Sequence, residues 1–188
     1  MQLWNYLSPA FLDNWPVWFV SAVLVAAAII DGWKLKVPNW LTFSFVLSGW
    51  IYCTACSGWE GFGLSIVGTC VGLGLLLPLY AIGGMGAGDV KLLAGVGAWV
   101  GGTKTLYAFC LSAVIGGLIA LVMVFWKRNW HHHAHQFWSI LQEIWVIREP
   151  NQLSAIAAER KSSMLLLPYG IPICIGTIIY FIWTGMLP

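Results

Sequence analysis

Aspartate is scarce in this chain, with Asp13, Asp31 and Asp89 making up the whole supply. Asp31 closes one long apolar stretch, and Asp89 opens another behind Gly83-Gly84-Met85-Gly86-Ala87-Gly88. Ionisable groups at membrane depth are costly and usually mark function. Two carboxylates brought together by folding cannot both ionise comfortably, so one pKa rises and the pair shares a proton. One carboxylate then acts as general base on a water while the other, protonated, polarises a scissile carbonyl. That is the chemistry of aspartic peptide hydrolysis. The plainer roles are a polar stop at a helix end for Asp31 and an N-cap for Asp89. Asp13 and Glu60 read as solvated loop charges.

The residues around each aspartate add detail. Gly86 and Gly88 would let a substrate backbone come close to Asp89, and each is expected to adopt a backbone shape closed to other residues. Asp31 is followed by Gly32-Trp33-Lys34-Leu35-Lys36-Val37-Pro38-Asn39. Pro38 disfavours helix at Val37, and Asn39 is a favoured N-cap for the helix after it. Other ligand-bearing groups are weaker candidates. Cys53, Cys56, Cys70, Cys110 and Cys174 all lie in apolar stretches, and an odd count suggests no disulfide framework. The Cys53-Thr54-Ala55-Cys56 spacing suits a metal, but zinc wants four ligands. His131, His132, His133 and His135 read as a polar interfacial turn. No metal and no cofactor are expected, and there is no Walker loop, Gly-x-Ser-x-Gly elbow or His-Glu-x-x-His pair.

The elements that must position these groups follow from composition. The 188 residues are 60% apolar and only 9% charged, whereas a soluble domain carries roughly 25% charged residues. Such a chain cannot cover a water-facing surface, nor does it have the charge that keeps a chain disordered. A net charge of +2 gives no reason to expect nucleic acid as a partner. The first basic residue is Lys34, so the positive start of a secretory signal is missing. A single integral membrane domain over 1–188 remains, with the lipid bilayer as its surroundings.

Crossing a ~30 Å hydrocarbon core takes about 20 helical residues. Apolar segments fall at Trp15–Ile30, Trp40–Ser57, Leu64–Ile82, Leu92–Val100, Thr105–Trp126 and Met164–Trp183. The fourth is short, which is tolerable only if protein rather than lipid surrounds it. Basic residues favour the cytoplasmic side. If all six cross, Lys34, Lys36, Lys91, Lys127, Arg128, Arg148, Arg160 and Lys161 share one side and Lys104 alone faces the other. The expected fold is therefore all-α and polytopic, with about six spans and a short helix after Asp89. Both termini then lie outside the cytoplasm, and both aspartates lie at the cytoplasmic face. Residues 127–163 form the one sizeable loop, where Phe137, Leu141, Ile144, Trp145 and Arg148 recur at the spacing of an interfacial amphipathic helix. Gly68 with Gly72, and Gly97 with Gly101, are spaced for close helix approach.

Gly86-Ala87-Gly88-Asp89 followed by Val90-Lys91-Leu92 resembles the GxGD motif of the type IV prepilin peptidases. Asp31 through Asn39 resembles that family's other signature, an aspartate followed by basic residues and a hydrophobic-Pro-Asn triplet. Leu167-Pro168-Tyr169-Gly170, opening the last span, is also similar. The resemblance covers most of the chain. It implies a bacterial inner-membrane aspartic endopeptidase that removes the short basic leader of prepilins at the cytoplasmic face. Asp31 and Asp89 would be catalytic, with Gly86, Gly88, Lys34, Lys36, Pro38 and Asn39 as supporting motif residues. Larger members carry a four-cysteine zinc domain and N-methylate the new pilin terminus. The chain looks more like the short members found with tight-adherence (Flp-type) pili, for which no methyl transfer is expected. The Pro-Ala-Leu motif of presenilin-type GxGD proteases is absent.

Two other function classes compete with this one. An ion-coupled transporter would use the aspartates as ion ligands, but both sit at span edges and no inverted repeat is evident. A non-enzymatic membrane subunit of a pilus or secretion machine would use the glycines for packing, leaving two motif-embedded aspartates as coincidence. The sequence leaves the oligomeric state and the particular pilin open.

Overall fold

A computed structural model describes residues 14–34, 36–81, 85–126 and 168–187, and every described element is a helix. The 127–163 loop, with its expected amphipathic helix and histidine run, lies outside the described residues.

Helix α1 (Trp15–Lys34) begins where the Asn14 carbonyl accepts the Val17 and Trp18 amides. Its buried positions, Val17, Val20, Ser21, Leu24, Ala27 and Asp31, follow the helical period and form one inward stripe. Trp18, Phe19, Val25, Ile29 and Trp33 face outward, as lipid permits.

Helix α2 (Asn39–Ala81) spans 43 residues, but Gly58 interrupts it with φ 60° and ψ −141°. That left-handed φ suits glycine, which has no Cβ to clash. Trp50 Nε1 donates to Thr69 Oγ1 at 3.0 Å. At about 1.5 Å per residue a straight helix would hold the two nearly 30 Å apart. The chain therefore folds back at Gly58 into two antiparallel arms, α2a (39–57) and α2b (59–81). These coincide with the second and third apolar segments of the sequence.

Helix α3 (Ala87–Val100) has 14 residues. At about 1.5 Å per residue it is roughly 21 Å long, less than the hydrocarbon thickness. Ten of its residues are buried, including Leu92 through Trp99 without a break. It runs parallel to α2a, where Phe45 covers Gly95 and Gly49 meets Ala98, and antiparallel to α2b, where Gly68 meets Gly97 and Gly72 meets Leu93. Protein surrounds the short helix, as its length requires. Of the four glycines expected to pack, Gly101 does so with its Cα 3.1 Å from where a Cβ on Gly68 would stand, and its φ of 82° also turns the chain into the next helix.

Helix α4 (Gly102–Trp126) and helix α5 (Gly170–Trp183) run antiparallel, with Ser112 against Gly176 and the Tyr107 and Tyr180 rings stacked at 6.1 Å. The sequence placed the last span at Met164–Trp183; its described helix starts at Gly170, and residues 164–167 lie outside the described set. By length and composition α1, α2 and residues 102–123 of α4 are apolar enough to cross a membrane. The core joins Val20 and Leu24 of α1, Leu76 of α2b, Leu92, Leu93 and Val96 of α3, and Ile173 and Phe181 of α5. At one end of the bundle Trp99 stacks on Tyr52 and donates from Nε1 to the Phe45 carbonyl at 3.0 Å. The opposite end gathers Asp31, Val37–Asn39, Gly86–Lys91 and Pro168–Gly170.

Candidate active site

Asp31 occupies the last turn of α1 and is 3% exposed. A carboxylate there faces the negative end of its own helix, an unfavourable place unless something offsets it. The start of α5 does so: Gly170 N–H donates to Asp31 Oδ2 at 2.9 Å. That approach depends on glycine, because a Cβ at 170 would stand 2.9 Å from the same oxygen.

Asp89 is 5% exposed and sits in the first turn of α3. The cap is Gly86 rather than Asp89. Asp89 takes the third helical position, where its Oδ2 accepts the Gly86 N–H at 3.3 Å while its own amide donates to the Gly86 carbonyl at 3.2 Å. Negative charge is favourable at a helix start. Tyr169, beside Gly170, is a half-buried phenol that lies within electrostatic reach of Asp89. Asp31 and Asp89, far apart in sequence, thus border one corner, Tyr169–Gly170, at the start of α5.

The supporting residues divide. Gly88 lies against the chain before α2: a Cβ there would be 2.9 Å from the Val37 carbonyl oxygen and 3.0 Å from Val37 Cβ. Gly86 has φ −80° and ψ 145°, extended backbone open to most residues. The expectation that both glycines hold shapes closed to other residues is therefore corrected, since positive φ occurs elsewhere, at Gly58, Gly101 and Gly185. What these two positions lack is room, at Gly88 because Val37 is packed against it.

The expected cap at Asn39 is also corrected. The Pro38 carbonyl accepts the Leu41 and Thr42 amides and starts α2. Asn39 Oδ1 instead accepts from Lys91 Nζ at 3.0 Å, and the same ammonium lies 4.7 Å from the centre of the Phe43 ring. Lys34 and Lys36 are exposed at this end. Val37, Lys91, Tyr169 and Gly170 are site neighbours that the sequence places in motifs without giving them a role. The Leu-Pro-Tyr-Gly string was the only available signal for the last two.

Cys53 and Cys56 lie at the opposite end of the bundle, where Cys53 Sγ contacts the Ala98 carbonyl at 3.5 Å. Among the described residues no three His, Cys, Asp or Glu side chains gather as a metal site would need. The chemically equipped end therefore offers two buried carboxylates, backbone donors, a phenol and the ammonium groups of Lys34, Lys36 and Lys91.

An apolar helical bundle with two buried carboxylates at one end defines a class of membrane-embedded protein. Residues 18–121, more than half of the chain and including both Asp31 and Asp89, match the type IV leader peptidase family. The chain belongs to that family. The prepilin leader peptidase/N-methyltransferase of Aeromonas hydrophila is 32% identical over 119 residues, which is 60% of this chain and 40% of that protein. The protein of the same description from Neisseria gonorrhoeae is 30% identical over 111 residues, 55% of this chain and 38% of its own length. The matched region spans about two-fifths of the length of these curated relatives. No solved structure matches the chain.

Proposed function

We propose that this protein is a membrane-embedded aspartic endopeptidase that removes the leader of prepilins. The observation that carries the reading is the convergence of two buried aspartates, from α1 and α3, on the Tyr169–Gly170 corner. In this scheme one carboxylate removes a proton from water as the water oxygen attacks the scissile carbonyl. The other carboxyl, protonated, donates to the carbonyl oxygen. When the tetrahedral gem-diol collapses, one of its hydroxyls returns a proton to the pair as the C=O re-forms, the C–N bond breaks, the amine leaves with a proton from the pair, and the carboxylic acid product remains. The dyad is then back to one shared proton.

The chain is read as six spans, with α3 as the short fourth, in a bacterial inner membrane. Lys34, Lys36 and Lys91 at the aspartate end, against Lys104 at the other, support a cytoplasmic placement of the site. A prepilin would present its scissile bond where its hydrophobic helix meets that face. Flp-type prepilins are proposed as its substrates.

The test is cleavage of a prepilin panel by the purified protein in lipid, with Asp31→Asn and Asp89→Asn as variants. An amide can neither act as the base nor share the proton. Each variant is expected to insert normally and to lose leader removal. Near-parental cleavage by either variant would remove that residue from the dyad, and cleavage of no prepilin by the parent would overturn the reading.

A further inference from the structure

Lys91 stands where a cation is out of place. It lies near the start of α3, and the positive end of a helix disfavours added positive charge. A lysine on this face would ordinarily extend freely into water. Here its ammonium is held, 3.0 Å from Asn39 Oδ1 and 4.7 Å from the centre of the Phe43 ring. Both partners belong to the first turns of α2a, directly after the Val37–Pro38 segment that presses on Gly88. Two contacts therefore join the same two pieces of chain on either side of Asp89: Val37 with Gly88, and Asn39 with Lys91.

The rest of the seam explains the need for them. Along α2b, α3 is held by backbone meeting backbone at Gly68, Gly72 and Gly97. Small residues let helices come close, and the directional contacts of α3 with the two arms of α2, Ser65 Oγ to the Ala98 carbonyl and Trp99 Nε1 to the Phe45 carbonyl, fix the end of α3 far from Asp89. A charge-assisted hydrogen bond is directional, and a cation over an aromatic face adds a second restraint. We infer that Lys91, through Asn39 and Phe43, is a positioning residue that fixes the first turns of α3, the end those other bonds do not reach, and so aims the Asp89 carboxylate. Asn39 then serves the site by receiving Lys91, which ties the Pro-Asn pair after Asp31 to the helix that carries the second aspartate.

The kinetic arm of the test rests on the peptidase reading, and a second arm does not. In the first, Lys91→Met, Asn39→Ala and the double variant are assayed on a purified prepilin. A slight misaim of Asp89 is expected to lower kcat about tenfold in each single variant, with KM within about twofold, since a 1 Å error can cost roughly 100-fold. The double variant is expected to be no worse than the worse single one, because the two residues form one contact. Lys91→Arg keeps the charge, the hydrogen bond and the ring contact, and is expected to stay within about threefold of the parent. In the second arm, hydrogen exchange of the amides of residues 87–92 is followed in lipid. Exchange is expected to quicken equally in both single variants and the double. Losses that multiply in the double variant, a change confined to KM, or unchanged exchange at 87–92 would each overturn the inference. If the parent cleaves no prepilin, the peptidase reading fails and the exchange result alone decides the role of Lys91.

Discussion

Gly88→Ala adds one methyl group, and the structure sets what that methyl must displace. A Cβ at 88 would meet the Val37 carbonyl oxygen at 2.9 Å and Val37 Cβ at 3.0 Å, where ordinary contact begins at 3.4 Å. The shortfall is about 0.5 Å. Val37 has little freedom to yield, being buried and followed by Pro38, whose ring fixes φ and whose carbonyl starts α2. The first turn of α3 must move instead, and Asp89 is the next residue. If a 1 Å misplacement costs on the order of 100-fold, half of that costs about tenfold, or about 1.4 kcal/mol of barrier. Gly88→Val adds two further carbons to a β-branched side chain and is expected to eliminate turnover. The assay is kcat on a purified prepilin, normalised to folded protein in the membrane. The far end of α3, packed through Gly97 and Trp99, does not touch residue 88, so both variants are expected to accumulate. Gly86→Ala presses directly on Asp89 Oδ2 at 3.1 Å and is expected to have a smaller effect, since that contact is less tight. Parental turnover by a well-folded Gly88→Val would refute the reasoning and leave Gly88 as a packing residue only.

Topology is open to cysteine-accessibility labelling in a background cleared of native cysteines: Lys36→Cys and Trp59→Cys, both at exposed positions, are expected to label from opposite faces. Labelling from one face would separate the aspartates from the cytoplasm as assigned. Gly97→Leu forces apart the backbones of α3 and α2b and is expected to lower the thermal unfolding midpoint in detergent sharply, overpacking costing typically 1–3 kcal/mol. Ser65→Ala removes a hydroxyl that donates to the Ala98 carbonyl, which Cys53 also contacts, and is expected to cost only about 0.6 kcal/mol, the average for such bonds in a bilayer. A Ser65→Ala effect as large as that of Gly97→Leu would invert this account of the seam. Carboxylates alone activate the water in the proposed scheme, so cleavage is expected to persist in excess chelator; strict zinc dependence would turn attention to His131–His135.

Much of this arrangement is legible in the residues. Hydropathy marked the bundle because a chain this poor in charge has few other options, and it divided α2 correctly because Gly58 and Glu60 interrupt the apolar run. The short α3 was visible as nine apolar residues, Leu92–Val100, though only the fold shows that Phe45, Gly49, Gly68 and Gly72 wall it in. What the sequence concealed is mostly where polar side chains end. Asn39 looked like a cap because Asn next to Pro at a helix start commonly is one, yet its partner lies 52 residues away at Lys91. Propensity describes local competition for backbone groups and carries no information about such long-range pairs. The glycines before Asp89 were read for conformational freedom when crowding was the constraint. Crowding depends on Val37, which belongs to another part of the chain.

The position of the carboxylates at one end of the bundle, rather than in mid-span, follows from what a buried aspartate requires. A carboxylate oxygen shielded from water needs a donor, and the bilayer interior supplies none. Inside a continuous helix every backbone N–H is already committed, whereas the first turn of each helix leaves N–H groups to spare. The aspartates use such groups: Gly86 at the cap of α3 serves Asp89, and Gly170 in the first turn of α5 serves Asp31. These are also the two shortest described helices, at 14 residues each. A full-length span would carry its first turn outward to the headgroups, where water competes for the same donors. A shortened helix keeps its first turn within the protein. Short helices and buried carboxylates are therefore two parts of one requirement, and lengthening α3 or α5 at its start would withdraw the donor along with the helix end.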